Sequence, residues 1–526
     1  MYTFQTRLHT SANPFTSASL IQRMSLTMAM LAVCTGAATG ATIHVPGDQP
    51  TLQAGIDAAA EGDTVLVAPG TYTGEGNRDL DFGGIDRVLV SEAGAEATVI
   101  DCEGEVRAFS FRNEETSASV LQGFTITGGV SEGTETDRYG GAVFCENGAS
   151  PRITQCAFTD NSSALHGGAI YCGGEGSGYT STISECTFTG NSGNLGGAVF
   201  LSNSPSATIT RCTFTGNSGG KGGGGIYCKT KTERLLPGPT ITSCTITGND
   251  ASQVDEDTKG GGIYCSTNAP AVITNCMIMG NEADTGGGIY SYGDPTITNC
   301  TIANNSAQSG GGIRGEDRSD LTITNSILWG NTPNALVTMG GATVVNYSNV
   351  EGEWDGIGNI NANPLFVDTS DGDYHLSDGS PCIDAGTVDG APDTDFDGDA
   401  RFQGDGIDMG ADEYVSGENC DLEVTLSGQP ASVKRGGALS FRADVSNDCD
   451  DPLTFDRAVL NVTGPASLEM GLYDGAPFTV VESVGKPLSL SVPAVAPMGS
   501  YTVGVTIYQD GTVIDADAFD VNVIGG

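Results

Sequence analysis

The chain is 526 residues long, with 65 acidic against 22 basic side chains and a formal charge of −43. A surface this acidic repels nucleic acid and anionic membranes, so neither is an expected partner, and an anionic polysaccharide is acceptable only where divalent cations bridge the two. Glycine is abundant, at 77 residues, yet 38% of the chain is apolar, which excludes a disordered low-complexity protein.

The first segment reads as export machinery. Arg23 precedes the apolar run 24–33, and small residues follow in "CTGAATGATIHV", so 1–41 is expected to be a signal peptide cleaved between Ala38 and Ala41. Lipidation at Cys34 is the weaker alternative, because Val33 stands where lipoprotein signals carry Gly, Ala or Ser. No later run approaches the ~18 apolar residues of a membrane span. The mature protein is therefore expected outside the cytoplasm, extracellular or at the cell surface.

Next comes "IHVPGDQPTLQAGIDAAAEGDTVLVAPGTY", where Leu52, Ile56 and Ala59 form the apolar stripe of a short helix that Gly62 is expected to end. Less regular strands are expected from Val65 to Gly129. A glycine motif then recurs, ending before a Val or Ile, at Ala142, Ala169, Ala198, Gly225, Gly262, Gly288 and Gly312, in steps of 24 to 37 residues. Each copy is followed by a second motif ending at Asn161, Asn191, Asn217, Asn249, Asn281, Asn305 and Asn331. Between them run short alternating stretches such as "TITRCTFT", which put Ile209, Cys212 and Phe214 on one face and threonines on the other. Short β-branched strands without hairpin turns or helical segments predict a parallel β-helix, a solenoid in which like residues of successive coils form ladders. The outward threonines break at Met277 and Met279.

The paired GGA(I/V) and FxxN motifs resemble the repeats of the chlamydial polymorphic outer membrane proteins over about 140–331. The amino-terminal helix region resembles the cap of bacterial right-handed β-helix proteins. "NPLFVDTSDGDYHLSDGSPCIDAG" and "DTDFDGDARFQGDGIDMGADEY", within about 364–414, resemble the closing segment of bacterial surface β-helix proteins. These resemblances imply a right-handed solenoid over 42–415. The chlamydial carboxy-terminal barrel has no counterpart here, so self-secretion does not carry over.

From Ser416 to Gly526 the glycine repeat stops and period-two runs follow, among them "LEVTL" and "YTVGVTIYQDGTVIDADAFDVNV" with a hairpin turn at Asp510-Gly511. About seven such runs predict a small Ig-like β-sandwich. In an exported chain, Cys420 and Cys449 are the expected disulfide of that domain.

Several side chains are candidates for function. Phe144, Tyr171, Phe200, Tyr227, Tyr264 and Tyr290 occupy equivalent outward positions, with Arg314 in the next coil's place. They form either a stacked strip that binds sugar rings or a β-ladder covered by loops. In "DTDFDGD", Asp393, Asp395, Asp397 and Asp399 alternate around Gly398, and with Asp405 they could surround a calcium ion; the alternative is a solvated acidic turn. The ladder cysteines share the apolar parity and lack Cys-x-x-Cys spacing, so they are expected to be inward free thiols, with disulfides between some coils, and then metal binding, as the weaker alternatives. "GNSGGKGGGG" lacks the Ser or Thr of a phosphate-binding loop. The insertions 229–239 and 250–259 are expected to project from the stack. The solenoid class includes polysaccharide lyases and glycoside hydrolases, but the coils' one compact charged cluster, Arg314, Glu316, Asp317 and Arg318, is expected to be a solvated loop, and no catalytic residue is assigned. The expected role is therefore non-catalytic: adhesion, scaffolding or binding of a polysaccharide or cell-surface glycan. The alternative is a β-helix lyase or hydrolase.

Overall fold

A computed structural model describes residues 40–173, 180–203, 206–230, 238–252, 257–266, 269–317 and 319–415, together with eight strands between 422 and 524. The leader expected at 1–41 lies almost wholly outside this set, as do Cys420 and Cys449 and the middles of both insertions, 231–237 and 253–256.

Residues 42–350 coil repeatedly, and successive coils add strands to three long parallel sheets, with a short four-stranded parallel sheet beside them. The first sheet has twelve strands, from Thr42–Val45 to Val344–Asn346; the second has eleven, from Gly70–Tyr72 to Asn349–Val350; the third has ten, from Leu80–Asp81 to Leu336–Thr338. Register is kept from coil to coil, so like residues stack: Ile183 pairs Ile209, Phe188 pairs Phe214, and Cys228 pairs Cys265. The inward members form one continuous core. Phe158, Phe188 and Phe214 stack at 5.0 and 4.6 Å within it.

The glycine motif has a steric cause. Gly260 has φ +68°, and a Cβ on Gly261 would collide with carbonyl oxygens of the next coil at Glu282 and Gly287. The third position is less confined, which is why Ala142, Ala169 and Ala198 are accepted there.

Two buried polar ladders tie the coils together. Each asparagine from Asn161 to Asn305 donates from Nδ2 to the next asparagine's Oδ1 at 2.9–3.0 Å and to a carbonyl of the preceding coil. The corner cysteines do more than fill space. The Cys186 amide donates to Cys212 Sγ at 3.4 Å, and Cys212 Sγ donates to the Thr210 carbonyl at 3.3 Å. Ser326 and Ser348 continue this ladder with hydroxyls. All twelve described cysteines are buried and unpaired by disulfides.

The expected short helix forms at Leu52–Ala58, with Leu52 and Ile56 buried and Thr51 accepting the Ala54 amide. It ends at Ala59 in extended conformation rather than at Gly62, whose φ of +79° belongs to the turn before Thr64–Val67. Beyond 415, strands form a three-stranded sheet and a five-stranded sheet, mostly antiparallel. Gly499–Gln509 and Thr512–Ile524 pair across the predicted hairpin, with Gln509 opposite Thr512; Asp510 and Gly511 themselves lie outside the described residues. No helix among the described residues is long and apolar enough to cross a membrane.

Candidate functional site: a polar groove where the aromatic ladder stops

The outward positions of the third sheet run in register from Asp81 through Ser110, Phe144, Tyr171, Phe200, Tyr227, Tyr264 and Tyr290 to Arg314. The structure does stack the aromatics, with centroids 4.5–5.5 Å apart. They are not an open platform, however. Phe144, Phe200 and Tyr290 are at most 2% exposed, and Tyr171 and Tyr227 are 6% exposed. A second layer covers them: Tyr139 and His166 stack 4.8 Å apart, His166 lies 4.4 Å from Phe200, and Leu195 packs alongside. Sugar rings stack on exposed faces; five of these six aromatics are buried and Tyr264 is half-buried, so of the two readings the burial favours the covered ladder over the sugar-binding strip. Arg314 is likewise engaged, by Glu316 at 3.2 Å and the Ser309 hydroxyl at 2.6 Å.

What the ladder does is end. At Ser110 and Asp81 the outward side chains become small and polar, and a groove of about 600 Å³ opens there. Arg107 and Arg112 lie over the Phe144 ring, their guanidinium carbons 4.9 and 4.7 Å from its centroid. Asp79, Asp81, Glu105, Glu132 and Asp137 rim the groove, with Ser110, Ser131 and Ser162 among its hydroxyls. Arg107 Nη2 donates to the Asp137 carbonyl at 3.0 Å, and burial, with the Arg112 charge nearby, lowers its pKa to about 10. It therefore stays charged at neutral pH. Arg112 Nε and Ser131 Oγ are buried without a hydrogen-bond partner. Nothing in the repeat pattern marked this groove; the departure of Ser110 and Asp81 from the aromatic column was the available signal.

The acidic loop also differs from expectation. Asp395 is 2% exposed, and its Oδ1 accepts the amides of Asp397, Gly398 and Asp399 at 2.8–2.9 Å, which organises the turn. Asp393 gives its main-chain carbonyl to the Arg401 amide, and Asp405 belongs to a separate turn where its amide donates to Asp384. Of the five aspartates expected around calcium, only Asp397 joins a metal-capable cluster among the described residues, and its companions are His375 and Asp412.

The segment 364–414 folds back over the later coils. Tyr374, Phe366, Phe396 and Ala411 pack on Met277, Met279 and Ala303, which explains why threonine gives way to methionine there. Asn275, Asn299 and Asn325, each with φ near +50°, turn the corner between first and second sheets and dock this segment. Asn275 Nδ2 donates to Thr394, Asn299 Nδ2 to Asp408, and Asn325 Nδ2 to Thr387. Arg401, 2% exposed, spans from Glu413 to Asn275 Oδ1 at 3.0 Å.

A family model described as "Right handed beta helix region" matches residues 88–233 and 168–352, which together span just over half of the chain. The chain belongs to this right-handed β-helix family. The family model supplies the handedness; the parallel sheets agree with the solenoid. No curated protein matches it. Among solved structures, a β-glucosidase from Listeria innocua shares 19% identity over 20% of this chain and 16% of its own, at a TM-score of 0.16. The sporulation control protein Spo0M from Bacillus subtilis shares 12% identity over 20% of this chain and 49% of its own, and the CARDB domain of PF1109 from Pyrococcus furiosus shares 16% over 20% and 94%; both have TM-scores of 0.16. The chain thus spans about one sixth of the β-glucosidase, and likenesses at these scores carry no argument about function.

Proposed function

We propose that this β-helix protein is exported to the cell surface or beyond, and that it serves adhesion or scaffolding by holding a polysaccharide in the groove without cleaving it. The supporting observation is the groove's lining. Two guanidinium groups, five carboxylates and several hydroxyls converge there, with Arg112 Nε and Ser131 Oγ lacking partners. Buried polar groups ordinarily find partners, and a polyhydroxylated chain supplies them. The signal peptide expected at 1–41, and repeats that resemble those of surface proteins, support the same location.

The mature chain should retain a subset of glycans on an array, and Arg112→Ala should weaken retention at least tenfold while the circular dichroism spectrum stays unchanged. Equal retention by the variant would reject the groove as the binding site. The same carboxylates and arginines are the residue types that a polysaccharide lyase or glycoside hydrolase uses. Release of unsaturated or reducing ends from a retained glycan would replace the non-catalytic reading with that one.

A further inference from the structure

His375 lies on the strand Asp373–Leu376, Asp397 at the tip of the acidic turn, and Asp412 in the run that follows. Their ligand atoms all lie within 4.8 Å of one another. His375 Nε2 is 3.0 Å from Asp397 Oδ2, close to the separation of two neighbouring ligands on one ion with bonds of about 2.1 Å. On the other side of the ring, Asp373 Oδ1 sits 2.6 Å from Nδ1. A carboxylate in that place fixes the ring orientation with Nε2 turned toward the cluster, as carboxylate–histidine pairs do around metals.

A separate observation comes from Asp412. It is 4% exposed, yet its carboxylate has one hydrogen bond, from the Leu376 amide to Oδ2 at 2.8 Å, and no ion pair within 4.0 Å among the described residues; the basic group that faces it is His375 of the same cluster, within 4.8 Å. A carboxylate taken out of water with so little compensation is costly. A dication beside it would offset that cost. The side chains of His375 and Asp397, each 43% exposed, leave the outer side open for water ligands.

We propose that His375, Asp397 and Asp412 bind one divalent transition-metal ion of the zinc or manganese class, with Asp373 orienting the imidazole. One imidazole nitrogen with two carboxylates suits such ions, whereas calcium takes six to eight oxygens. The ion would join three stretches of the segment that covers Met277 and Met279, and so hold that segment in its folded form. This site is independent of the groove and of any glycan.

The test uses the mature chain stripped with a chelator and dialysed. Calorimetric titration with Zn²⁺, Mn²⁺ and Ca²⁺ should show one site per chain that takes Zn²⁺ or Mn²⁺ at least tenfold more tightly than Ca²⁺. Co²⁺ should give the visible absorption of a nitrogen–oxygen ligand set. His375→Gln and the half-exposed Asp397→Asn should each weaken binding at least tenfold, and hydrogen exchange of 373–376 should slow on metal addition in the native chain only. Failure to take up Zn²⁺, Mn²⁺ or Co²⁺ at 100 µM, set here as roughly the weakest useful affinity, would overturn the proposal. Preference for Ca²⁺, or equal binding by both variants, would overturn it too.

Discussion

Asn249 sits in the middle of the asparagine ladder, fully buried. Its Nδ2 donates to the Phe214 carbonyl at 3.0 Å and to Asn281 Oδ1 at 2.9 Å, while its Oδ1 accepts the main-chain amide and the Nδ2 of Asn217 at 3.0 and 2.9 Å. Alanine at this position removes all four bonds and leaves the Phe214 carbonyl and both Asn217 donors without them, in an interior that water does not reach. At a net ~1 kcal/mol per bond the loss is about 4 kcal/mol, and the stranded groups raise it further. In a solenoid each coil is stabilised chiefly by its neighbours, so the damage should centre on the coils that carry 213–217 and 245–249. Amide hydrogen exchange resolves this. Protection in those two coils should fall by about two orders of magnitude or more, while the coil at 88–101 changes little. Asn331→Ala, at the last rung, removes three bonds and should cost about a quarter less. A loss below about 1 kcal/mol for Asn249→Ala would refute the view that the ladder's net contribution is large.

Four further outcomes follow from other contacts. Native protein should not react with a thiol reagent, whereas denatured, unreduced protein should release the twelve described thiols; burial alone pushes Cys265 up to about 12. Cys244→Ser should be tolerated within ~1 kcal/mol, because Ser326 and Ser348 do the same work, while Cys244→Ala should cost about 2 kcal/mol in denaturant unfolding. His166 has its pKa lowered to about 4 by burial between Tyr139 and Phe200, so its contribution is present above about 6.5 and is lost as pH falls through 4. His166→Phe should therefore flatten the stability profile between pH 7 and 4; an unchanged profile would contradict this. Met277→Thr should weaken the covering segment by about 2 kcal/mol, seen as faster exchange at Tyr374–Leu376 with the Thr187–Thr189 coil unaffected.

The coil, its inward residues and its ladders were legible from the sequence, since each depends on a period of two within a strand and one repeat between strands. Ile209, Cys212 and Phe214 face inward because alternation leaves them no other face, and Asn249 stacks because the repeat returns an asparagine to the same place. The candidate sites were less legible. Alternation places Tyr171 and Phe200 on the outer face, but it does not say that Tyr139 and His166 lie over them. The groove exists because a covered aromatic column ends at Ser110, a fact about two layers at once. The five aspartates were grouped by spacing, whereas the folded chain turns Asp395 onto backbone amides and brings Asp397 to His375 and Asp412. The contact between Arg401 and Asn275 joins residues 126 apart in the chain. Local periodicity determined the solenoid, because every rung is specified by nearby residues; what covers it, and where it stays open, only the tertiary structure decided, because those contacts join segments that share no period.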